Sequence, residues 1–238
     1  NNQWIIDDLD EGEVYWSSNE DVLYPWLVQT WTQEANGSGS QPTFGSFVGG
    51  SPANNAVQAT AANQPKIVKD GSLVTEGEAP AFYVDGVSDV LKLSSSITNV
   101  GDFYVSLVSV MEETSGLQSI LGANTNTDYL RANNSNWLLY TGTGAGSTGN
   151  VSWSAPFDSR YLMSFNRSGS TVTAQLNGSS AGTGTNGTDI GFINKLFQRA
   201  SNTTQLWKGN VQELIIYDSD QSSKRTDIET NIINHYDI

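Results

Sequence analysis

Carboxylates, amides and aromatic rings, with one histidine and no cysteine, are the chemistry this chain can offer. The histidine, His235, sits in a helix-like pattern near the chain end, which suits a structural or exposed role and leaves a Ser-His-Asp nucleophile unsupported. No thiolate is available for a metal or a disulfide, so the redox compartment stays open. Glycoside hydrolysis needs two carboxyl groups held about 5–10 Å apart across a sugar. The acids that come into question are the run Asp8-Leu9-Asp10-Glu11-Gly12-Glu13, which reads first as a solvated acidic edge, and Glu34, Asp85, Asp89 and Asp128, whose spacing does not say whether they converge. Hard cations take oxygen ligands from loops, and Asn124, Asn126 and Asp128 alternate at i, i+2 and i+4 while Asp85 and Asp89 flank a turn. Calcium is therefore the candidate cation, against the plainer account in which Asn-rich turns bond their own backbone. No cofactor is required.

The third chemistry is non-covalent. A sugar presents an apolar face to Trp or Tyr and its hydroxyls to Asn, Asp and Arg. Such residues cluster at Asp128, Tyr129, Arg131, Asn133, Asn136, Trp137, Tyr140 and Trp153, beside the Gly-rich loop 142–150. Trp137 and Trp153 equally suit the core of short strands. Four of the seven tryptophans, Trp4, Trp16, Trp26 and Trp31, fall in the first 31 residues. Burial in the domain's own core is the ordinary account; the other is an interface, with Trp4, Trp16 and Trp26 as the contacts, because aromatics concentrate at interface centres.

Elements that could position these groups are read from periodicity. At 238 residues, with 37% hydrophobic and 15% charged residues, the chain has the size and balance of one β-sandwich or barrel. Runs of strand length recur at 13–16, 81–84, 89–93, 102–111, 128–132, 136–141, 160–167, 171–176 and 211–217. Turn dipeptides stand between them at 85–86, 168–169, 177–178 and 186–187. In the hairpin 160–176, Tyr161, Met163 and Phe165 share one face and Val172, Ala174 and Leu176 oppose them, which predicts one buried and one wet face. After Tyr217 the run DSDQSS offers N-caps, with Asp227 and Glu229 near the positive end of a helix whose apolar stripe is Ile228, Ile232, Ile233 and Tyr236.

Net charge of −14, from 25 acids and 11 bases, repels phosphate backbones and anionic membrane surfaces, so nucleic acid is not an expected partner. Eight acids precede the first base, Lys66. No apolar stretch approaches the roughly 20 residues of a spanning helix, and the acidic start lacks the basic region of a signal peptide, so a soluble chain without membrane insertion is expected. It does not begin with Met, which suggests a processed product or a piece of something larger. The seven Asn-x-Ser/Thr sequons follow from composition.

Four stretches carry a family resemblance. The run WKGNVQELIIYDSDQSSKRTDIETNI resembles the last strand and terminal helix of concanavalin A-like lectin/glucanase domains, the laminin-G-like jelly rolls. EAPAFYVDGVSDVLKL (78–93) is similar to the family's FDGxDDYL strand–turn–strand, with Ser88 where Asp is usual, and TVTAQLNGSSAGT (171–183) to its VYVNGxxxGT element. NNAVQATAANQPKIV (54–68) resembles the segment after WYDQSGNGN in a branch that includes phage tail and virion proteins and, distantly, arabinofuranosidase catalytic modules. VQTWTQEA (28–35) corresponds in place to that element but departs from its Tyr-Asp-Gln at Thr32, Gln33 and Glu34, so these residues do not support the enzyme's chemistry. The Glu-x-Asp-x-x-Glu of glucanase relatives is met only imperfectly by Asp8–Glu13, and the Gln-x-His strand of lyase relatives is absent.

The resemblance implies an all-β jelly-roll sandwich of two antiparallel sheets with a short C-terminal helix over residues 26–238. Residues 1–25 then form an acidic, Trp-containing segment, either part of the sandwich or an attachment arm. It further implies a non-catalytic module of a phage or virus particle, a tail fibre or decoration protein that recognises surface glycans, in a virion or extracellular setting. A homo-oligomer or other virion proteins would be its further partners, and laminin-G-like relatives often bind calcium. Two alternatives stand beside this: a glycoside hydrolase or polysaccharide-degrading enzyme of the same superfamily, and a purely structural virion protein with no glycan ligand.

Overall fold

The computed structural model describes residues 3–5, 15–17, 56–97, 101–112, 116–123, 129–133, 136–140, 151–154, 157–185, 193–199 and 205–238. The strands in chain order are Gln3–Ile5 (β1), Tyr15–Ser17 (β2), Ala56–Val57 (β3), Val68–Lys69 (β4), Ser72–Leu73 (β5), Thr75–Glu76 (β6), Ala79–Pro80 (β7), Phe82–Asp85 (β8), Leu91–Ile97 (β9) and Phe103–Met111 (β10). They continue with Gln118–Gly122 (β11), Tyr129–Asn133 (β12), Asn136–Tyr140 (β13), Val151–Ser154 (β14), Arg160–Ser168 (β15), Thr171–Leu176 (β16), Ser179–Thr185 (β17), Ile193–Leu196 (β18) and Lys208–Tyr217 (β19). Arg225–Tyr236 is the helix α1.

Two antiparallel sheets form the sandwich. One has six strands in the order β17-β16-β15-β10-β19-β8, the other seven in the order β14-β13-β12-β11-β18-β9-β3. The chain changes sheet after β8, β9, β10, β14, β17 and β18, the weave of a jelly roll. Facing side chains fill the space between them: Phe103, Val105, Leu107 and Met111 of β10 and Tyr161, Met163 and Phe165 of β15 meet Leu130, Leu139, Trp137 and Trp153 of the other sheet. The hairpin register is the expected one, Met163 opposite Leu176 and Phe165 opposite Ala174. Asn177 and Gly178, both at positive φ, make the two-residue turn into β17 that the Asn-Gly dipeptide predicts.

The far face of that hairpin is not wet. Leu162, Ser164 and Asn166 are buried, because α1 lies over them. Ile232 joins Val108 and Leu162 in a second apolar cluster, with Ile215, Ile228, Ile233 and Tyr236 packed around it. The expected stripe thus covers the outer face of the six-stranded sheet. The expected caps do something else. Lys224 occupies the N-cap position without a side-chain bond. Asp220 instead accepts from the Ser222 amide at 2.8 Å and from Asn166 Nδ2 at 2.7 Å, and the Gln221 amide donates to Asn166 Oδ1 at 2.9 Å. Asn166 therefore pins the turn to the sheet. Glu229 does not serve the helix end; Ser164 Oγ and Arg225 Nη1 both donate to its buried carboxylate.

A hairpin, β6–β7, covers more of the same face. Arg160 Nη1 and Gln212 Nε2 donate to the Glu76 carbonyl at 3.0 and 2.9 Å, and Asn210 Nδ2 to the Glu76 carboxylate at 2.8 Å. Among the described residues, α1 and β6–β7 thus lie over the outer face of the six-stranded sheet, and residues 198–199 and 206 cross the seven-stranded sheet at Gly122 and Ser119.

Candidate functional site

Register across the seven-stranded sheet separates its two faces. Leu91, Leu196, Leu121, Leu130, Leu139 and Val151 stand opposite one another strand by strand, and all belong to the core or pack against it. The adjacent row has the opposite parity, and its described side chains Val57 and Lys92 are exposed while Lys195 is half-buried. That row reads Val57, Lys92, Lys195, Gly122, Tyr129, Tyr140. At about 4.8 Å per strand it is roughly 24 Å long. Gly122 closes β11, Tyr129 opens β12 and Tyr140 closes β13.

Burial, and then Lys92 opposite it, push the Lys195 ammonium below the usual lysine range. A Cβ on Gly122 would meet the Gln198 carbonyl at 2.1 Å and Arg199 Cα at 3.0 Å. Glycine is needed here because the backbone that leaves β18 crosses at this point, and it carries Arg199 to the row. Arg131 lies one outward position further along β12, half-buried, in register with Ser119 and Leu138. Asn136 is exposed and its Oδ1 accepts from Ser154 Oγ at 3.1 Å.

The sequence-predicted glycan residues divide between the two faces. Arg131 and Asn136 are on the outer face, and Tyr129 and Tyr140 hold register positions there. Trp137 and Trp153 do not present a ring to a sugar. Trp137 is 0% and Trp153 3% exposed, their rings stacked with centroids 6.4 Å apart, and Trp137 Nε1 donates to the Tyr161 hydroxyl at 3.2 Å. Both are core residues, and alternation held the signal: Trp137 shares its face with Leu139, and Trp153 with Val151, while Asn136 and Tyr140 fall on the other. Lys92, Lys195 and Arg199 escaped the sequence reading, although the alternation in Leu91-Lys92-Leu93 marks Lys92 as outward.

Calcium at Asn124, Asn126 and Asp128 falls outside the described residues, as do Glu34 and the run Asp8–Glu13. The Asp85–Asp89 turn does not fit a cation. Asp85 Oδ1 accepts from the amides of Val87, Ser88 and Asp89 at 2.8, 2.9 and 3.0 Å, and Asp89 Oδ2 accepts from the Asp85 amide at 2.9 Å. Burial pushes Asp85 upward, but those three amides outweigh it and hold its carboxyl below the usual range. Asp89, 1% exposed, is pushed up to about 6 by burial. The pair closes a turn. Among the described residues no group of three or more His, Asp or Glu side chains is placed to hold a metal, and no helix is long and apolar enough to cross a membrane. His235 lies on α1 with its ring against Tyr236, centroids 4.7 Å apart. Of the tryptophans near the start, Trp4 and Trp16 stand opposite each other in β1 and β2, and Trp26 lies outside the described residues.

No protein-family model matches this chain, and no curated protein matches it. Solved structures do. A sialidase of Trypanosoma rangeli superposes with a TM-score of 0.55 at 16% identity, over 88% of this chain and 32% of that one. Domain 4 of AbnA, a GH43 extracellular arabinanase from Geobacillus stearothermophilus, solved in complex with arabinotriose, gives 0.49 at 18% identity, over 83% of this chain and 92% of that domain. The CBM40 of a Ruminococcus gnavus sialidase, bound to α2,3 sialyllactose, gives 0.43 at 13% identity, over 53% and 80%. The sialidase match, a third of that chain's length, is a likeness of fold alone, consistent with the antiparallel β-sandwich.

Proposed function

We propose that this chain is a non-catalytic carbohydrate-binding module whose ligand lies along the outer face of the seven-stranded sheet. One observation carries the reading: the register row that holds Tyr129, Tyr140, Lys195 and Lys92, beside half-buried Arg131 and exposed Asn136, on the parity opposite the core of the seven-stranded sheet. Tyrosines, amides and cations are the groups that hold sugar rings and hydroxyls without breaking bonds. The buried carboxylates described, Asp89 and Glu229, are each engaged in holding the fold, which favours binding over glycosidic cleavage. The sequence resemblance to concanavalin A-like lectin domains supports the same reading.

Affinity electrophoresis and calorimetry against arabinan, laminarin, pectin and algal polysaccharides test it. Binding between about 1 mM and 1 μM is expected, weakened by Tyr129→Ala and Arg131→Ala with unfolding curves unchanged. Absence of binding across the panel overturns the reading. Release of reducing sugar, lost on one carboxylate substitution, turns it toward a polysaccharide-degrading enzyme.

The particle setting, in which the module serves as a tail fibre or decoration protein of a virion or works outside the cell, rests on the resemblance of 54–68 to a branch that includes phage tail and virion proteins. Assembly with a second copy or other particle proteins through the acidic segment 1–25, where Trp4 and Trp16 pair in register, belongs with it. Light scattering of the full chain and of Trp4→Ala/Trp16→Ala decides this: a defined oligomer lost in the variant is the expected result, and a monomer throughout removes that role.

A further inference from the structure

The interface between α1 and the six-stranded sheet holds a carboxylate from each side. Register sets three rows across β15, β10 and β19 on the face that α1 covers: Leu162, Val108 and Glu213; then Ser164, Ser106 and Ile215; then Asn166, Tyr104 and Tyr217. The fully buried aliphatic contact is confined to the first row, where Val108 and Leu162 meet Ile232, and Glu213 stands in that same row. The second row meets the helix through a polar bond, Ser164 Oγ donating to the Glu229 carboxylate. Elsewhere along the helix stripe, Ile228, Ile233 and Tyr236 are only half-buried. A helix held by so little buried apolar surface belongs to the low-stability end of a fold.

The polar contacts are arranged so that the helix can leave without stranding a charge. Arg225, the cation on Glu229, lies on α1 itself at i, i+4, so that ion pair travels with the helix. Glu213 stays with the sheet and gives up the Tyr236 hydroxyl. The turn before the helix is held separately, Asp220 and the Gln221 amide being bonded to Asn166, which leaves the exposed Ser223 and Lys224 as the hinge. Docking takes both carboxylates out of water, which favours their neutral forms. Burial raises Glu213 against its bond from Tyr236, and raises Glu229 against Ser164 and Arg225. The other groups facing them are Tyr104 and Ser106 of β10 and, by Tyr236, Arg160 of β15. His235 is exposed on α1 with its ring against Tyr236.

We infer that α1 is a proton-linked cover, which lifts from the six-stranded sheet as a unit while the sandwich stays folded and lifts more readily as pH rises. The docked interface holds protons that the open one releases. Docking is therefore complete below the ordinary carboxylate value of 4.5 and weakens as pH rises through the raised values. Lifting uncovers Tyr104, Ser106, Ser164 and Asn166, a face of hydroxyls and an amide. This device stands apart from the carbohydrate-binding reading and does not depend on it.

Native-state hydrogen exchange of the full chain from pH 4 to 8, each amide's rate divided by its intrinsic rate at that pH, tests it. The amides of α1 should be less protected than those of β10 and β15. Their protection should fall with pH by up to about tenfold per unit for each carboxylate and then level off. Glu213→Gln/Glu229→Gln should flatten the fall, and His235→Gln should preserve it. Equal protection of α1 and β10 at every pH makes the helix part of one cooperative unit and overturns the inference. Low but pH-independent protection of α1 overturns the proton link, as does a slope that survives the double substitution or disappears with His235→Gln. The parental profile needs no substitution, so the first two outcomes decide the matter even where the double variant fails to fold; the single Glu229→Gln protein then reads the carboxylate's share.

Discussion

Trp137→Phe separates a core tryptophan from a sugar platform. The indole is 0% exposed, with ring centroids 6.4 Å from Trp153, 6.4 Å from Tyr161 and 5.4 Å from Trp207. Truncation to Ala would cost about 3–5 kcal/mol through the cavity alone, close to the whole stability of a marginal domain, so it cannot be read cleanly. Phe keeps a six-membered ring. It removes the bond to the Tyr161 hydroxyl, about 1 kcal/mol, and the equivalent of one or two buried methylenes at about 0.8 kcal/mol each. The expected loss is therefore about 2–3 kcal/mol, or about 4–12 °C in Tm for a chain of this size. Urea unfolding followed by far-UV circular dichroism reads it as a lower midpoint at unchanged slope. Binding of the folded fraction to polysaccharide should be unaltered. A Trp137→Phe protein with the parental midpoint and lost binding would refute the assignment of this ring to the core.

Buried carboxylates and the facing lysines give further expected outcomes. Asp89 is raised to about 6 in the fold against 3.8 unfolded, so the folded state holds the extra proton between those values and stability falls as pH rises through that window, by up to roughly 3 kcal/mol; Asp89→Asn, which keeps an acceptor for the Asp85 amide, should flatten that slope in unfolding curves from pH 4 to 8, and parallel profiles would contradict it. Arg225→Ala leaves the Glu229 carboxylate, 2% exposed, with Ser164 alone. A loss of up to about 3–5 kcal/mol at pH 8 is expected, smaller at pH 5 as the carboxyl takes up a proton, and a pH-independent loss would argue against the buried pair. Lys92→Gln removes the repulsion with Lys195 and should stabilise the protein by about 0.2–1 kcal/mol at low salt, a gain that shrinks in 1 M salt; destabilisation would mean the two ammonium groups do not oppose each other.

Where the sequence was legible, a local pattern and a tertiary partner agreed. Alternation in 160–176 set both the face and the register, Asn177-Gly178 set the turn, and the Ile stripe set the helix face. β11 was missed because Gln118–Gly122 is buried at every position and so lacks alternation, while Ser119 and Gly122 weaken its strand composition. The turn at Asp70-Gly71, with φ of 55° and 80°, joins β4 to β5, strands of two residues each that no period can mark. At the site, the sequence located the right strands and mixed their faces. Grouping residues by chemistry placed Trp137 with Tyr140 and Arg131; grouping by parity puts Trp137 with Leu139 and exposes the row that ends in lysines. The lysines themselves carry meaning only once β9 and β18 are known to be neighbours, which is a long-range fact.

The C-terminal segment covers the outer face of the six-stranded sheet, and a single residue in β19 makes that possible. Val211 faces the core, and so do Leu214 and Ile216, which strict alternation forbids. The register slips between Val108 and Ser109 of β10, where Gln212 is the extra residue. The slip lets Gln212 bond Glu76 and Ala79 of the β6–β7 hairpin, while Ile215, two residues beyond Glu213, meets α1. One strand thus holds both covers of the outer face against the six-stranded sheet. Without the slip, Leu214 and Ile216 would turn outward and Glu213 inward, placing a carboxylate in the core. The bulge therefore commits the outer face of the six-stranded sheet to α1 and β6–β7, and so to the fold itself.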